Sequence, residues 1–197
     1  MNGRIIKALS SFYYIETENG ILECKARGNF RKIGHSPLVG DLVEYDVLDS
    51  THGVINNIFP RKNSLKRPSV ANVDKLFIVS SYATPMPNTY IIDKITAIAR
   101  YNDIEPIIVF NKADLGDFEK LSEIYKKSGF KTYTVSAQSG LGMEELKNEL
   151  KDSISTFTGN SGVGKSSILN YLFGNQNIAT GDVSKKLGRG RHTTRHI

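Results

Sequence analysis

The sequence predicts a small antiparallel β-barrel over residues 1–60 followed by a doubly wound α/β domain. Three observations carry this expectation. Residues 1–60 hold short alternating runs broken by turn signals, the hydrophobic period changes from Asp74 onward, and a glycine-rich loop at 159–166 separates a strand-like from a helix-like segment. Short strands with turns suit a barrel, whereas alternating strands and helices imply a parallel sheet covered on both faces.

In the first part, Phe12 to Glu18 and Ile21 to Arg27 flank Asn19-Gly20. That dipeptide is a strong hairpin signal, because both central positions of the favoured two-residue turn need positive φ. Val43, Tyr45 and Val47 alternate with Glu44 and Asp46, as in a half-buried strand. Leu22, Cys24 and Ala26 alternate with Glu23, Lys25 and Arg27, which makes Cys24 a core residue rather than a reactive one. The arrangement suits an OB-fold, a barrel that binds nucleic acid on its strand face and loops. Phe12, Tyr13, Tyr14 and Phe30 are candidates for base stacking, although such aromatics more often fill a barrel core. Arg61 to Pro68 has the charge and proline of an interdomain connector, dividing the chain into domains at 1–68 and 69–197.

Beyond it, Leu76 to Ser80 reads as a buried strand and Thr89 to Tyr101 as a helix with Ile91, Ile95 and Ile98 on one face. Glu105 to Phe110 is a continuous apolar run of the kind buried on both faces of a parallel sheet. Lys131 to Val135 is strand-like and leads into a helix holding Leu141, Leu146 and Leu150. Ser153 to Thr158 then reads as a strand, and Lys165 to Phe173 as a helix with Ile168, Leu169 and Leu172 at helical spacing.

The chemistry lies in three loops. Gly159, Asn160, Ser161, Gly162, Val163, Gly164, Lys165 and Ser166 complete the G-x-x-x-x-G-K-[ST] phosphate loop, with Ser167 just inside the helix. Its glycines let backbone N–H groups turn inward around phosphates at a helix N-terminus. Lys165 is then placed for the β/γ-phosphates and Ser166 for Mg²⁺. Upstream, Asn111-Lys112-Ala113-Asp114 follows an apolar strand, where a base would sit. Asp114 can take both the N1–H and the exocyclic amine of guanine, a pair adenine lacks, so these residues favour GTP/GDP over ATP. Taken alone, the tetrapeptide also fits a helix-capping turn. The loop from Ser136 and Ala137 to Gly140 supplies a third element, with the Ala137 N–H expected to meet guanine O6.

Bulk properties narrow the classes. One cysteine rules out an internal disulfide, and no cysteine–histidine cluster has zinc-site spacing. Nothing resembles a membrane span or secretory signal, so a cytoplasmic protein without a membrane partner is expected. Residues 1–70 carry ten Lys/Arg against seven Asp/Glu, a net +3, and residues 158–197 carry six against one, a net +5. The middle is acidic, ten against twelve, so the basic excess lies at the two ends. Lys185, Lys186, Arg189, Arg191 and Arg195 have no amphipathic pattern, and phosphate or RNA contact is the favoured reading over a merely solvated surface.

The phosphate loop follows the base-reading element, the reverse of the usual order in guanine-nucleotide switches. This order, with Gly188-Arg189-Gly190-Arg191-His192-Thr193-Thr194 beyond it, Gly40-Asp41 before it and the connector at 61–68, resembles the circularly permuted GTPases. Within them it is similar to the ribosome small-subunit-dependent GTPase A family. The resemblance implies an OB-fold before a circularly permuted P-loop GTPase domain, and a GTP-hydrolysing factor in late maturation of the 30S subunit, stimulated by it and bound to 16S rRNA as a monomer. It also implies Thr193 or Thr194 as a switch threonine on Mg²⁺ and His192 as a water-positioning or rRNA-contacting group. Neither the D-x-x-G motif nor the family's zinc-binding domain follows Thr194, so the GTPase domain is expected to be incomplete, poor in turnover on its own, and without zinc ligands. Two rivals share these motifs: a nucleotide-gated RNA-binding assembly factor with incidental hydrolysis, and a P-loop ATPase.

Overall fold

The computed structural model describes residues 1–18, 20–28, 30, 36–82, 85–174 and 195–196. Asn19, the basic residues 185–191, His192, Thr193 and Thr194 lie outside the described residues. The chain divides into two compact units, with a boundary between Val73 and Asp74.

The first unit is a closed five-stranded barrel: β1 (Asn2–Leu9), β2 (Phe12–Thr17), β3 (Gly20–Ala26), β4 (Leu42–Val47) and β5 (His52–Ile58). The strand order is β1-β2-β3-β5-β4, and β1 also pairs with β4, which closes it. One expectation is corrected: β3 and β5 run parallel rather than antiparallel. The chain from Ala26 to Leu42 is long enough to bring β4 back beside β1, so β5 then meets β3 in the same direction. Alternation places Ile5, Ile15, Leu22, Cys24, Val43, Tyr45 and Ile55 in the core. Burial pushes the Cys24 thiol up to about 11, so it stays protonated and unreactive at neutral pH, as its position in the alternation suggests.

Residues 61–68 do not form a free connector. Arg61 makes two 2.7 Å contacts with the wholly buried Asp41, from Nε to Oδ1 and from Nη2 to Oδ2. Then β6 (Ser64–Leu65) pairs antiparallel with β7 (Val70–Ala71), so this stretch belongs to the first unit, which extends five residues past Pro68. Charge and proline suggested a linker; the fixed Asp41 partner is invisible to composition.

The second unit contains β8 (Lys75–Ser81), α1 (Thr89–Tyr101), β9 (Glu105–Asn111), α2 (Glu119–Lys127), β10 (Lys131–Thr134), α3 (Met143–Glu149), β11 (Ser155–Thr158) and α4 (Lys165–Phe173). Its sheet is all-parallel in the order β10-β9-β8-β11. Successive strands step outward from β8 to β10, and the chain then returns to the other side of β8. This reversal is a topological switch point, where ligands of such sheets bind beyond the C-terminal strand ends. Phe77, Val79, Ile107 and Val109 on one face pack with Met143 and Leu146 of α3 and Ile168 and Leu172 of α4. On the other face α1 packs against β8 and β9, and Phe110 stacks on Phe118 at 4.9 Å.

Two apolar faces differ from expectation. In α1 the buried residues are Ile92, Thr96 and Ala99, while Ile98 is 43% exposed. The helical period admits a stripe centred one residue later, and the sheet selects it. Leu141 is 57% exposed and precedes α3, which buries Leu146 as expected and Met143 in place of Leu141. Gly140 and Gly142, both at positive φ, hold the chain out of helix until Met143. Among the described residues the last strand, β12 (Arg195–His196), pairs antiparallel with β1 at Lys7 and Ala8.

Candidate nucleotide-binding site

All three loops leave the C-terminal ends of parallel strands. The phosphate loop follows β11 and ends at α4, whose first turn contains no acidic residue and whose cap position, Gly164, supplies no capping side chain. The helix therefore presents unpaired N–H groups and its positive dipole end to an incoming anion. Gly159, Gly162 and Gly164 all have positive φ. At Gly164 the need is also steric, since a Cβ there would lie 2.2 Å from Asn111 Nδ2.

Lys165 Nζ donates to Gly159 O and Asn160 O, both at 2.8 Å, which holds the ammonium across the loop. Burial lowers its pKa from the ordinary lysine range, so an anion beside it would offset that desolvation. Ser166 is half-buried in the first turn and its side chain makes no hydrogen bond among the described residues, which leaves the hydroxyl oxygen open. A single hard oxygen beside a phosphate site fits Mg²⁺, an ion bound through few protein ligands together with phosphate oxygens. Among the described residues no group of three or more His, Cys, Asp or Glu is placed to hold a metal by itself. Asn160, Ser161 and Ser167 are exposed at the loop, and Val163 is buried beneath it.

Asn111 lies at the end of β9, 2% exposed, and joins the three loops. Its Nδ2 donates to Val163 O at 2.9 Å, and its Oδ1 accepts from Ala137 N at 3.3 Å. The Ala137 N–H is thus turned toward Asn111 rather than left open for guanine O6. Lys112 adopts a left-handed conformation, φ 65°, which turns the chain sharply out of the strand. Asp114 is exposed, and Ser136 Oγ donates to its Oδ1 at 2.5 Å. Asp114 Oδ2 has no partner among the described residues. Ser136 is fully buried and also accepts from Ser139 N at 3.1 Å, so it orients Asp114 rather than facing a base. The linking role of Asn111 escaped sequence reasoning, because both its partners are backbone atoms on distant loops.

This geometry defines a P-loop nucleotide-binding domain with base-reading elements of the guanine type, in permuted order, joined to a small OB-type barrel. The RsgA GTPase model matches residues 58–197 and the RsgA N-terminal domain model matches residues 2–55, so the chain belongs to the RsgA GTPase family. It is 48% identical over 200 residues to the small ribosomal subunit biogenesis GTPase RsgA of Caldanaerobacter subterraneus, covering 100% of this chain and 68% of that protein. Identity to the protein of that name from Clostridium kluyveri is 42%, covering 100% of this chain and 69% of the relative. Among solved structures, YjeQ from Thermotoga maritima matches with a TM-score of 0.74 and 40% identity over 91% of this chain and 67% of that one. YloQ, described as a circularly permuted GTPase, matches with a TM-score of 0.69 and 36% identity, over 86% of this chain and 63% of its own. The chain thus spans about two thirds of the length of these relatives.

Proposed function

We propose that this GTPase acts in biogenesis of the small ribosomal subunit, binding GTP with Mg²⁺ at the three loops and 16S rRNA through the barrel. The observation that carries the nucleotide reading is the Ser136–Asp114 hydrogen bond, which aims a carboxylate with one open oxygen out of a preformed loop. A carboxylate so held suits the paired N–H donors of guanine and leaves adenine unmatched. Phosphoryl transfer to water needs placement and charge neutralisation more than covalent chemistry. Lys165 would neutralise phosphate oxygens, Ser166 would hold Mg²⁺, and Thr193 or Thr194 would close on the ion. His192 would orient water or contact rRNA.

The rRNA reading rests on charge and on the barrel surface. Lys25 Nζ lies 5.0 Å from the centroid of Phe12 and Lys7 Nζ lies 5.2 Å from that of Tyr14, so cations and aromatic faces alternate on one side of β1–β3. Such surfaces combine phosphate neutralisation with base stacking. No described helix is long and apolar enough to cross a membrane. The working form is a monomer in the cytoplasm.

Competition of ATP against labelled GDP tests the base, and GTP turnover with and without 30S subunits tests the partner. Displacement by ATP as effective as by GTP would refute guanine recognition. Turnover that 30S subunits leave unchanged would refute the coupling. Affinity for 30S should fall with salt at a log–log slope of about −0.7 to −0.9 per neutralised phosphate, and a flat response would refute rRNA contact.

A further inference from the structure

We propose that Tyr171 is a positioning residue for the guanine-reading loop, linking the helix that follows the phosphate loop to the orientation of Asp114. The inference rests on the assignment of residues 136–140 to the base. Tyr171 lies on α4, six residues and about 9 Å along the axis from Lys165. Gly140 has φ +84°, and a Cβ built there would meet Tyr171 Oη at 2.7 Å and Cζ at 3.4 Å. The end of the phenol therefore lies against Gly140, and a Cβ there would require the tyrosine ring to shift. The hydroxyl makes no hydrogen bond among the described residues, so the contact is one of packing.

The ring is 47% exposed, so it adds little to the core. Its contact nevertheless reaches the base-reading carboxylate in three steps. Gly140 N donates to Ser136 O at 2.8 Å, closing the turn that carries Ser136. Ser136 Oγ in turn donates to Asp114 and accepts from Ser139 N. A tyrosine seated on Gly140 limits how far this turn can swing outward. Without it, the turn can open and the Ser136 hydroxyl can leave Asp114, which then loses the fixed orientation that a bidentate contact requires.

The test compares GDP with inosine diphosphate, which lacks the exocyclic amine that Asp114 would accept. In Tyr171→Ala, GDP affinity should fall about fivefold, the scale of a contact coupling between neighbours. Inosine diphosphate should weaken less, narrowing the preference between the two, while the urea midpoint stays that of the parent. Equal weakening of both nucleotides with a lowered midpoint, or no change in either, would overturn the proposal. Gly140→Ala approaches the contact from the other side. It should also weaken GDP, and Tyr171→Ala in that background should recover part of the loss; strict additivity would overturn the contact. Failure of the parent chain to bind GDP at all would refute the nucleotide site itself and this inference with it. Tight parental binding with an unaffected Tyr171→Ala refutes the role of Tyr171 alone.

Discussion

Replacing Asn111 with alanine tests whether one buried amide holds the base-reading and phosphate-binding loops in register. The side chain is 2% exposed, donates to Val163 O at 2.9 Å and accepts from Ala137 N at 3.3 Å. Alanine removes both bonds and strands a carbonyl on one loop and an N–H on another. Each net hydrogen bond contributes about 1 kcal/mol, and a buried group left without a partner costs about 1–3 kcal/mol. The 3.3 Å bond is long, and Ala137 is only half-buried, so water can recover part of that loss. Val163 is 2% exposed, and its carbonyl loses most. A total of about 2–3 kcal/mol in unfolding free energy follows, read by urea denaturation of the nucleotide-free chain. Where the nucleotide-free variant relaxes out of register and bound GDP must restore it, GDP affinity falls as well, by at most about 30- to 150-fold, read by displacement of a fluorescent guanine nucleotide. Asn111→Asp, which keeps the shape but turns the donor at Val163 O into an acceptor, should lower both quantities. A GDP affinity within about twofold of the parent, with an unchanged urea midpoint in Asn111→Ala, would refute the claim that this amide sets the register.

Other outcomes follow from the same geometry. Asp114→Asn should weaken GDP and improve xanthosine diphosphate relative to it, because the amide offers a donor to the xanthine oxygen; an unchanged preference in competition binding would remove Asp114 from the base site. Lys165→Ala should abolish tight GTP binding while leaving the urea midpoint close to that of the parent, since among the described residues its Nζ donates to loop carbonyls, those of Gly159 and Asn160. Retained affinity would contradict the phosphate-loop assignment. Glu149 should make the second unit acid-sensitive. Burial raises its pKa, but hydrogen bonds from Lys75, Tyr133 and Lys131 outweigh that and hold it at about 2, below the ordinary 4.5. Its folded value is depressed, so its contribution is fully present above about 4.5 and is lost as pH falls through about 2. The shift corresponds to about 3 kcal/mol, of which about 1 kcal/mol should be gone by pH 3.5. Glu149→Gln should lose correspondingly less stability than the parent between pH 6 and pH 3.5 in urea titrations; parallel losses would show that another carboxylate dominates.

Much of this protein was legible before any coordinates. The phosphate loop is local chemistry: glycines at positive φ, a lysine and a serine at fixed spacing between a strand and a helix, and the structure places β11 and α4 on either side of it. The continuous apolar run at 105–110 identified a strand buried on both faces, and β9 is the second strand in from one edge of a parallel sheet. Short-range periodicity served less well where two adjacent stripes fit one helix, as with Ile98, and where paired glycines postponed a helix, as with Leu141. The role of residues 61–68 was illegible because Arg61 is explained only by Asp41, twenty positions away.

By itself the sequence determined which residues can form each loop, because backbone freedom, charge and spacing are properties of neighbours along the chain. Only the tertiary structure decided what those loops do to one another. It brought Asn111 to Val163 across 52 positions and Ser136 to Asp114 across 22, and it set Tyr171 on Gly140. These contacts arise because parallel strands deliver their C-terminal loops to one edge of the sheet, whatever their separation in sequence. Which loops meet there depends on strand order, and strand order is settled by how the two faces of the sheet are covered.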